Sequence, residues 1–307
     1  MKTPQQLLQQ TLEVGECLLP DASPGGRTPY PTVFVHGLLG WGARDALYRA
    51  VPYWGLAAGD VLGYLNACGY DCRAASVGII SSAWDRACEL YAELTGGTAD
   101  YGIAHAQRFG HARFGTAYPN PLVPDWGADR PVDLVGHSFG GATARLLAQN
   151  PLPAGDNAFD DLRPAGARAL NARIETLPDT WYFSIPCCRT LPRLLTHDQK
   201  PDTAMTPLLW PFSTAMGRDG AGMPRDWLPN DGLVNTISAR YPGGAPHADF
   251  VPGQTPVRGV WQVLPVEHLD HLAAIGGVMN NGVVRTRLFY RRVMALLDAA
   301  AAADANS

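Results

Sequence analysis

Apolar residues recur along this chain at two different spacings, and the alternation of the two sets its class. Pro31-Thr32-Val33-Phe34-Val35 is a short β-branched apolar run that predicts a buried strand. Residues 60–68 carry Val61, Leu62 and Leu65 at helical spacing. A strand is predicted over 71–80 and a helix over 82–94. The run Pro131-Val132-Asp133-Leu134-Val135 predicts a further strand, and helical spacing resumes over 141–147. Trp181-Tyr182-Phe183-Ser184-Ile185 predicts another buried strand, stopped by Pro186. Residues 287–297 predict a closing amphipathic helix, and the alanine-rich stretch 299–303 is expected to fray. Strands alternating with helices imply an α/β fold, a mostly parallel central sheet with helices on both faces. No repeat or low-complexity linker interrupts the pattern, so 1–307 is read as a single domain.

Composition narrows the function classes. Apolar residues make up 46% of the 307 positions and charged residues 17%, which suits a globular chain. The net charge is −4 with no basic block, which argues against a nucleic-acid partner. No apolar run approaches the ~18 residues of a membrane-spanning helix. The segment Met1-Lys2-Thr3-Pro4-Gln5-Gln6 lacks the apolar core of a signal peptide. As written the chain is expected in the cytoplasm, the alternative being a secreted protein whose leader has been removed. The six cysteines (Cys17, Cys68, Cys72, Cys88, Cys187, Cys188) show no CxxC pair and read as buried thiols rather than a disulfide framework.

The chemistry begins at Gly136-His137-Ser138-Phe139-Gly140, between a predicted strand and a predicted helix. A G-x-S-x-G in that setting is the nucleophile elbow of an α/β-hydrolase fold. The sharp turn cramps the Ser138 backbone, so the neighbours two residues away must be small. It also lifts the hydroxyl to the start of a helix, where N–H groups favour developing negative charge.

A nucleophilic serine needs a base, and the base needs an orienting carboxylate. In this fold they follow in the order Ser, Asp or Glu, His. Asp231, in Asn230-Asp231-Gly232, is a candidate acid on a turn. The downstream histidines are His197, His247, His268 and His271, with His268 and His271 both close to the last helix. An oxyanion hole would take the Phe139 N–H and, from the loop His36-Gly37-Leu38-Leu39-Gly40, the Leu38 N–H. The long stretch between His36 and Ser138 implies an insertion, read as 81–130. It carries His105 and His111, which with acids at Asp85, Asp160 and Asp161 could bind a metal such as tetrahedral zinc.

At this point the chain resembles the thermoalkalophilic, zinc-containing bacterial lipases. The matching segments are 31–42, Tyr53-Trp54-Gly55, Trp84-Asp85-Arg86-Ala87-Cys88-Glu89, Asp100-Tyr101-Gly102 through His105 and His111 to Gly115, Asn230 to Thr236, and Asp270-His271-Leu272. The resemblance implies Ser138 as nucleophile, Asp231 as orienting acid and His271 as base, with His268 demoted. It places Leu38 and Phe139 on the oxyanion-hole positions. It implies a structural Zn2+ held by Asp85, His105, His111 and Asp161, with Asp160 the adjacent alternative, pinning the insertion to the core.

Three departures from that family stand out. Gly136 occupies a position where the family usually has alanine. Ala273, Val278 and Met279 fall where the family binds calcium and offer no side-chain oxygen, so no Ca2+ is expected. The segment 150–159 is too short and proline-rich for the family's helical lid. The implied function is hydrolysis of carboxylic esters, small-molecule or lipid, through an acyl-enzyme. An acyltransferase or a polyester hydrolase on the same core, and a binding module that kept only the shape, are the rival readings.

Overall fold

A computed structural model describes residues 27–127, 129–149, 157–219, 224–277 and 282–306. The readings made on residues 1–6, Cys17, 150–156, Val278 and Met279 lie outside these. The chain divides into two compact units, one of Tyr30–Tyr53 and Asn66–Leu177, the other of Met1–Pro29, Trp54–Leu65 and Pro178–Ser307.

The first unit is built on β1 (Thr32–Val35), whose four residues are all buried. It pairs in parallel with β2 (Cys72–Ala75) on one side and, in register from Thr32↔Asp133 to Val35↔Gly136, with β5 (Asp133–Gly136) on the other. Two-sided pairing of a fully buried, β-branched and aromatic strand is what a buried parallel sheet demands. The 60–68 pattern forms α1 (Val61–Ala67), most of which belongs to the other unit, with Val61, Leu62 and Leu65 buried as expected. The strand expected over 71–80 leaves its ladder after Ala75, because side chains capture its next backbone donors. The Ser76 N–H goes to the Glu93 carboxylate at 2.7 Å, and the Gly78 N–H goes to Glu89.

Those glutamates sit on α2 (Ala83–Thr95), whose start is capped by the Ser82 hydroxyl accepting the Asp85 N–H at 3.0 Å. Asp85, Arg86, Glu89 and Glu93 are all buried on this helix. The hairpin of β3 (Gly97–Asp100) and β4 (Phe114–Tyr118) is antiparallel and encloses α3 (Ile103–Phe109). From β5 (Asp133–Gly136) the chain turns through two residues into α4 (Phe139–Gln149), and α5 (Ala158–Leu162) and α6 (Pro164–Asn171) complete the unit.

In the second unit β6 (Tyr182–Ser184) and β9 (His247–Asp249) flank β10 (Trp261–Val263), all parallel. The hairpin of β7 (Thr190–Pro192) and β8 (Gln199–Pro201) is antiparallel, and α7 (Trp210–Met216) adjoins it through the Gln199 N–H, which donates to the Gly217 carbonyl at 2.7 Å. The parallel pairing agrees with the sequence. One continuous central sheet does not: among the described residues the ladders form a three-stranded parallel sheet in each unit. The strands have only three or four paired residues, and β5 ends at Gly136 where the elbow turns.

The last helix, α8 (Val283–Ala305), runs well beyond 287–297, and the 299–303 stretch is helical with Ala300 buried. The fraying expectation fails because alanine is the strongest helix former, and the helix is tied down by Asp298, whose carboxylate accepts the Thr28 N–H at 2.8 Å. None of the described helices is long and apolar enough to cross a membrane.

Candidate active site and metal centre

Ser138 occupies the turn between β5 and α4 with φ +56°, the left-handed region that a side chain enters only when its surroundings enforce it. The surroundings here do. A Cβ on Gly140 would collide with the Val35 carbonyl oxygen of β1, and one on Gly136 would come within 2.5 Å of the Gly141 nitrogen. The G-x-S-x-G spacing is therefore a packing requirement. Ser138 itself is exposed, while Phe139, the first residue of α4, is buried.

The loop after β1 lies against this turn. A Cβ on Gly37 would sit 2.8 Å from the Ser138 Cβ, so the backbone leading into Leu38 runs directly beside the nucleophile candidate. Leu39 is also left-handed, at φ +57°, and its N–H donates to the Ile79 carbonyl at 2.8 Å. The buried imidazole of His36 holds the loop from below. Its Nδ1 is 2.9 Å from the Gly37 carbonyl. Its pKa is lowered from 6.5 to about 4, first by burial and then by the neighbouring Arg86 cation, so it is neutral at pH 7.

Arg86 is a residue that sequence reasoning passed over. Its fully buried guanidinium donates to the His36 carbonyl, to the Gly78 carbonyl at 2.6 Å and to the Thr143 hydroxyl at 3.0 Å. It thus ties the ends of β1 and β2 to the elbow helix. Its signal in the sequence is weak, a cation on a helix whose buried face also carries Asp85, Glu89 and Glu93.

In the other unit, His271 Nδ1 lies 2.9 Å from Asp231 Oδ2, with both side chains buried. Asp231 Oδ1 accepts the Leu233 and Val234 N–H groups at 2.9 and 2.7 Å. Beneath it Asn230 takes the Gly232 N–H and donates to the Leu228 and Ser213 carbonyls. Asp270, whose role the sequence did not disclose, accepts N–H groups from Thr206, Leu272 and Ala273 and the Thr206 hydroxyl. The loop carrying His271 is thereby fixed on both flanks. His268 is exposed, and its carbonyl accepts from Arg189. His247 is exposed and stacks on Tyr241. His197 is exposed as well. Of the four histidine candidates, His271 is the one set against Asp231.

The first unit also assembles Asp85, His105 and His111, which can offer one ligand atom each, all within 4.8 Å of one another. His105 Nε2 is 3.1 Å from Asp85 Oδ1, and the two imidazole rings are 5.0 Å apart. His111 Nδ1 lies 2.8 Å from the Ala112 carbonyl. With Nδ1–H donating there, Nε2 keeps its lone pair for a metal, since a carbonyl that takes the other ring proton fixes the tautomer a ligating histidine needs. Two imidazoles and a carboxylate, with Asp85 and His105 buried and His111 half-buried, fit a borderline divalent cation.

Asp161 stands outside this group. It is buried, and its Oδ2 accepts the Ala83 N–H at 2.7 Å, at the start of the helix that carries Asp85. Asp160 turns to Asn157 and Arg163. Ala273, on the expected calcium position, is buried with its N–H on Asp270.

Residues 28–155 and 149–298 match the family described as "Lipase-like, C-terminal domain". Lipase 2 of Staphylococcus aureus is 44% identical over 120 residues, which are 39% of this chain and 17% of that protein. The chain therefore spans only a small part of that relative's length. The crystal structure of Staphylococcus hyicus lipase has the same fold, with a TM-score of 0.79 at 22% identity over 91% of this chain and 96% of that one. EstA from Clostridium botulinum superposes with a TM-score of 0.76 at 26% identity, covering 90% of this chain and 88% of its own. With most of its length inside the matched span, this chain belongs to the lipase-like, C-terminal domain family.

Proposed function

We propose that this chain is a serine carboxylic-ester hydrolase of the lipase and esterase type, with 1–307 acting as one α/β-hydrolase domain. The observation that carries the reading is Ser138, exposed and left-handed at the head of α4 with the Gly37 backbone against its Cβ. A chain stores strain of this kind on a serine where a nucleophile must be presented.

In the proposed mechanism His271 Nε2 takes the Ser138 hydroxyl proton as the oxygen attacks the ester carbonyl. Asp231 holds the Nδ1–H and stabilises the imidazolium. The Leu38 and Phe139 N–H groups receive the oxyanion, each donor being worth roughly 3 kcal/mol. His271 then gives its proton to the leaving alkoxide, leaving Ser138 acylated. Water repeats the cycle and releases the carboxylic acid. Lipid or small acyl esters are the substrate class that the family match supports.

Asp85, His105 and His111 form the core of a zinc site, with Asp161 as the proposed fourth ligand. A bound cation there would link α2 to the β3–β4 hairpin and serve stability rather than the ester chemistry.

Turnover of a chain-length series of p-nitrophenyl esters, set against an emulsified triglyceride, tests the reading. Labelling of Ser138 by a fluorophosphonate tests the nucleophile. An inert Ser138 and no turnover on any ester would overturn the proposal.

A further inference from the structure

One buried hydroxyl beside the elbow has no task in that mechanism. Tyr53 is 5% exposed. Its hydroxyl oxygen accepts the Gly37 N–H at 3.0 Å and lies 2.8 Å from Nδ1 of His137. Gly37 immediately precedes Leu38, and His137 immediately precedes Ser138. A single oxygen therefore touches the residue before the proposed oxyanion donor and the residue before the proposed nucleophile.

The proton directions follow from the groups. A backbone N–H can only donate, so the Tyr53 oxygen is the acceptor towards Gly37. Its own O–H can donate to His137 Nδ1 in the tautomer that leaves a lone pair on that nitrogen. Burial raises the hydroxyl pKa from 10 to about 12, keeping that proton in place. The ring is held by its neighbours: Trp41 meets it edge-on at 5.4 Å, and the rings of His36 and His137 lie 5.7 and 5.9 Å away. The two segments it joins each contain a left-handed residue that is not glycine, Leu39 and Ser138. Strained backbone of this kind relaxes unless its surroundings over-determine it, and a shared hydrogen-bonding atom is such a determinant.

We propose that Tyr53 is a positioning residue, a clasp that joins the oxyanion loop to the nucleophile elbow and sets the placement of the Leu38 N–H relative to the Ser138 hydroxyl. The proposal rests on the ester-hydrolase reading above. It goes beyond it by assigning the geometry of the oxyanion hole to a side chain that never meets substrate.

The test is Tyr53→Phe, which keeps the ring and removes only the O–H. A displaced oxyanion donor weakens the transition state rather than the substrate complex. The expected result is a fall in kcat of about 10–100-fold on a soluble p-nitrophenyl ester, somewhat less than outright deletion of a donor, with KM within about twofold. The rate of Ser138 labelling by a fluorophosphonate should fall in parallel. His137→Leu should produce a similar loss, and the double variant should be no worse than the weaker single. His137→Asn, whose amide oxygen can stand in for Nδ1, should recover much of what His137→Leu loses.

Unchanged kcat and labelling in Tyr53→Phe, whatever happens to its melting temperature, would make Tyr53 a packing residue and overturn the clasp. Additive losses in the double variant would also overturn it. If the wild type labels but hydrolyses no ester, the substrate reading fails while the labelling rates still decide the clasp. If the wild type neither labels nor turns over, both fall.

Discussion

His271 Nδ1 sits 2.9 Å from Asp231 Oδ2, and the His271 backbone N–H donates to the Asp231 carbonyl at the same distance. The two residues are thus joined at two points. Because Asp231 Oδ1 is held by the Leu233 and Val234 N–H groups, the carboxylate cannot rotate away. An imidazole fixed in this way keeps its proton on Nδ1 and presents Nε2 as an acceptor, the form a general base requires.

That arrangement separates the candidate bases by experiment. Ser138→Ala and His271→Ala should each abolish ester turnover with the fold intact, since members of a unit that acts together cost most of the rate when removed singly. Asp231→Asn should lower kcat by about 10⁴-fold, the scale seen when a serine hydrolase's histidine is left in the wrong tautomer. His268→Ala should keep substantial activity. An active His271→Ala beside a dead His268→Ala would reverse the assignment of the base.

The cluster of Asp85, His105 and His111 leads to a metal prediction. Protein purified without added metal should carry one zinc per chain by elemental analysis. His105→Ala or His111→Ala should lose that ion and melt at lower temperature, because metal binding is linked to folding. Labelling of Ser138 at low temperature should change little. Added calcium should leave the melting temperature where it is, and a clear calcium-dependent rise would show that the lost-site reading was mistaken. Asp161→Asn decides the fourth ligand: retention of full zinc affinity would remove Asp161 from the set.

Local patterns in the chain revealed the parts of this site that are local. The elbow, the loop after β1 and the α1 face each lie within about ten residues, where spacing and small side chains carry the signal. Parallel pairing was legible as well, because a strand buried on both faces is mostly apolar, as β1 is over Val33, Phe34 and Val35. Interactions between distant segments were not legible. Arg86 bonds to groups 50, 8 and 57 residues away, and nothing in its neighbours announces those partners. The contacts of Tyr53 with Gly37 and His137, and of Asp270 with Thr206, were hidden for the same reason. Strand ends also escaped the sequence reading: 76–80 is apolar enough to extend β2, but Glu89 and Glu93 take its donors.

Arg86 gives a stability prediction. Replacing it with methionine of similar length leaves the His36 carbonyl, the Gly78 carbonyl and the Thr143 hydroxyl without its three donors. Each buried group deprived of its partner costs about 1–3 kcal/mol, so Arg86→Met should lose on the order of 3 kcal/mol or more in urea unfolding. Arg86→Lys should be only partly better, since an ammonium cannot reproduce the guanidinium fork. An unchanged urea midpoint in the methionine variant would show that these contacts do not matter to stability.

Glu93 makes stability depend on pH in a direction opposite to that of most carboxylates. Burial raises its pKa from 4.5 to about 8, outweighing the hydrogen bond from the Ser76 N–H and the nearby Arg44. Between those two values the unfolded chain has released this proton and the folded chain has kept it. The unfolded state therefore binds fewer protons, and the Glu93 contribution to stability falls as pH rises from about 4.5 to about 8. Glu93→Gln keeps an oxygen for the Ser76 N–H and cannot ionise. The two proteins should be nearly equal in stability at pH 4.5–5. The glutamine variant should then gain steadily, reaching an advantage on the order of 3 kcal/mol near pH 8. His36 also titrates abnormally but remains in the variant and cancels in the difference, whereas Glu89, whose charge helps to raise Glu93, is relieved by the same substitution. Urea midpoints measured at pH 5, 6, 7 and 8 read this directly, and two parallel curves would mean that Glu93 is ionised in the folded protein throughout that range.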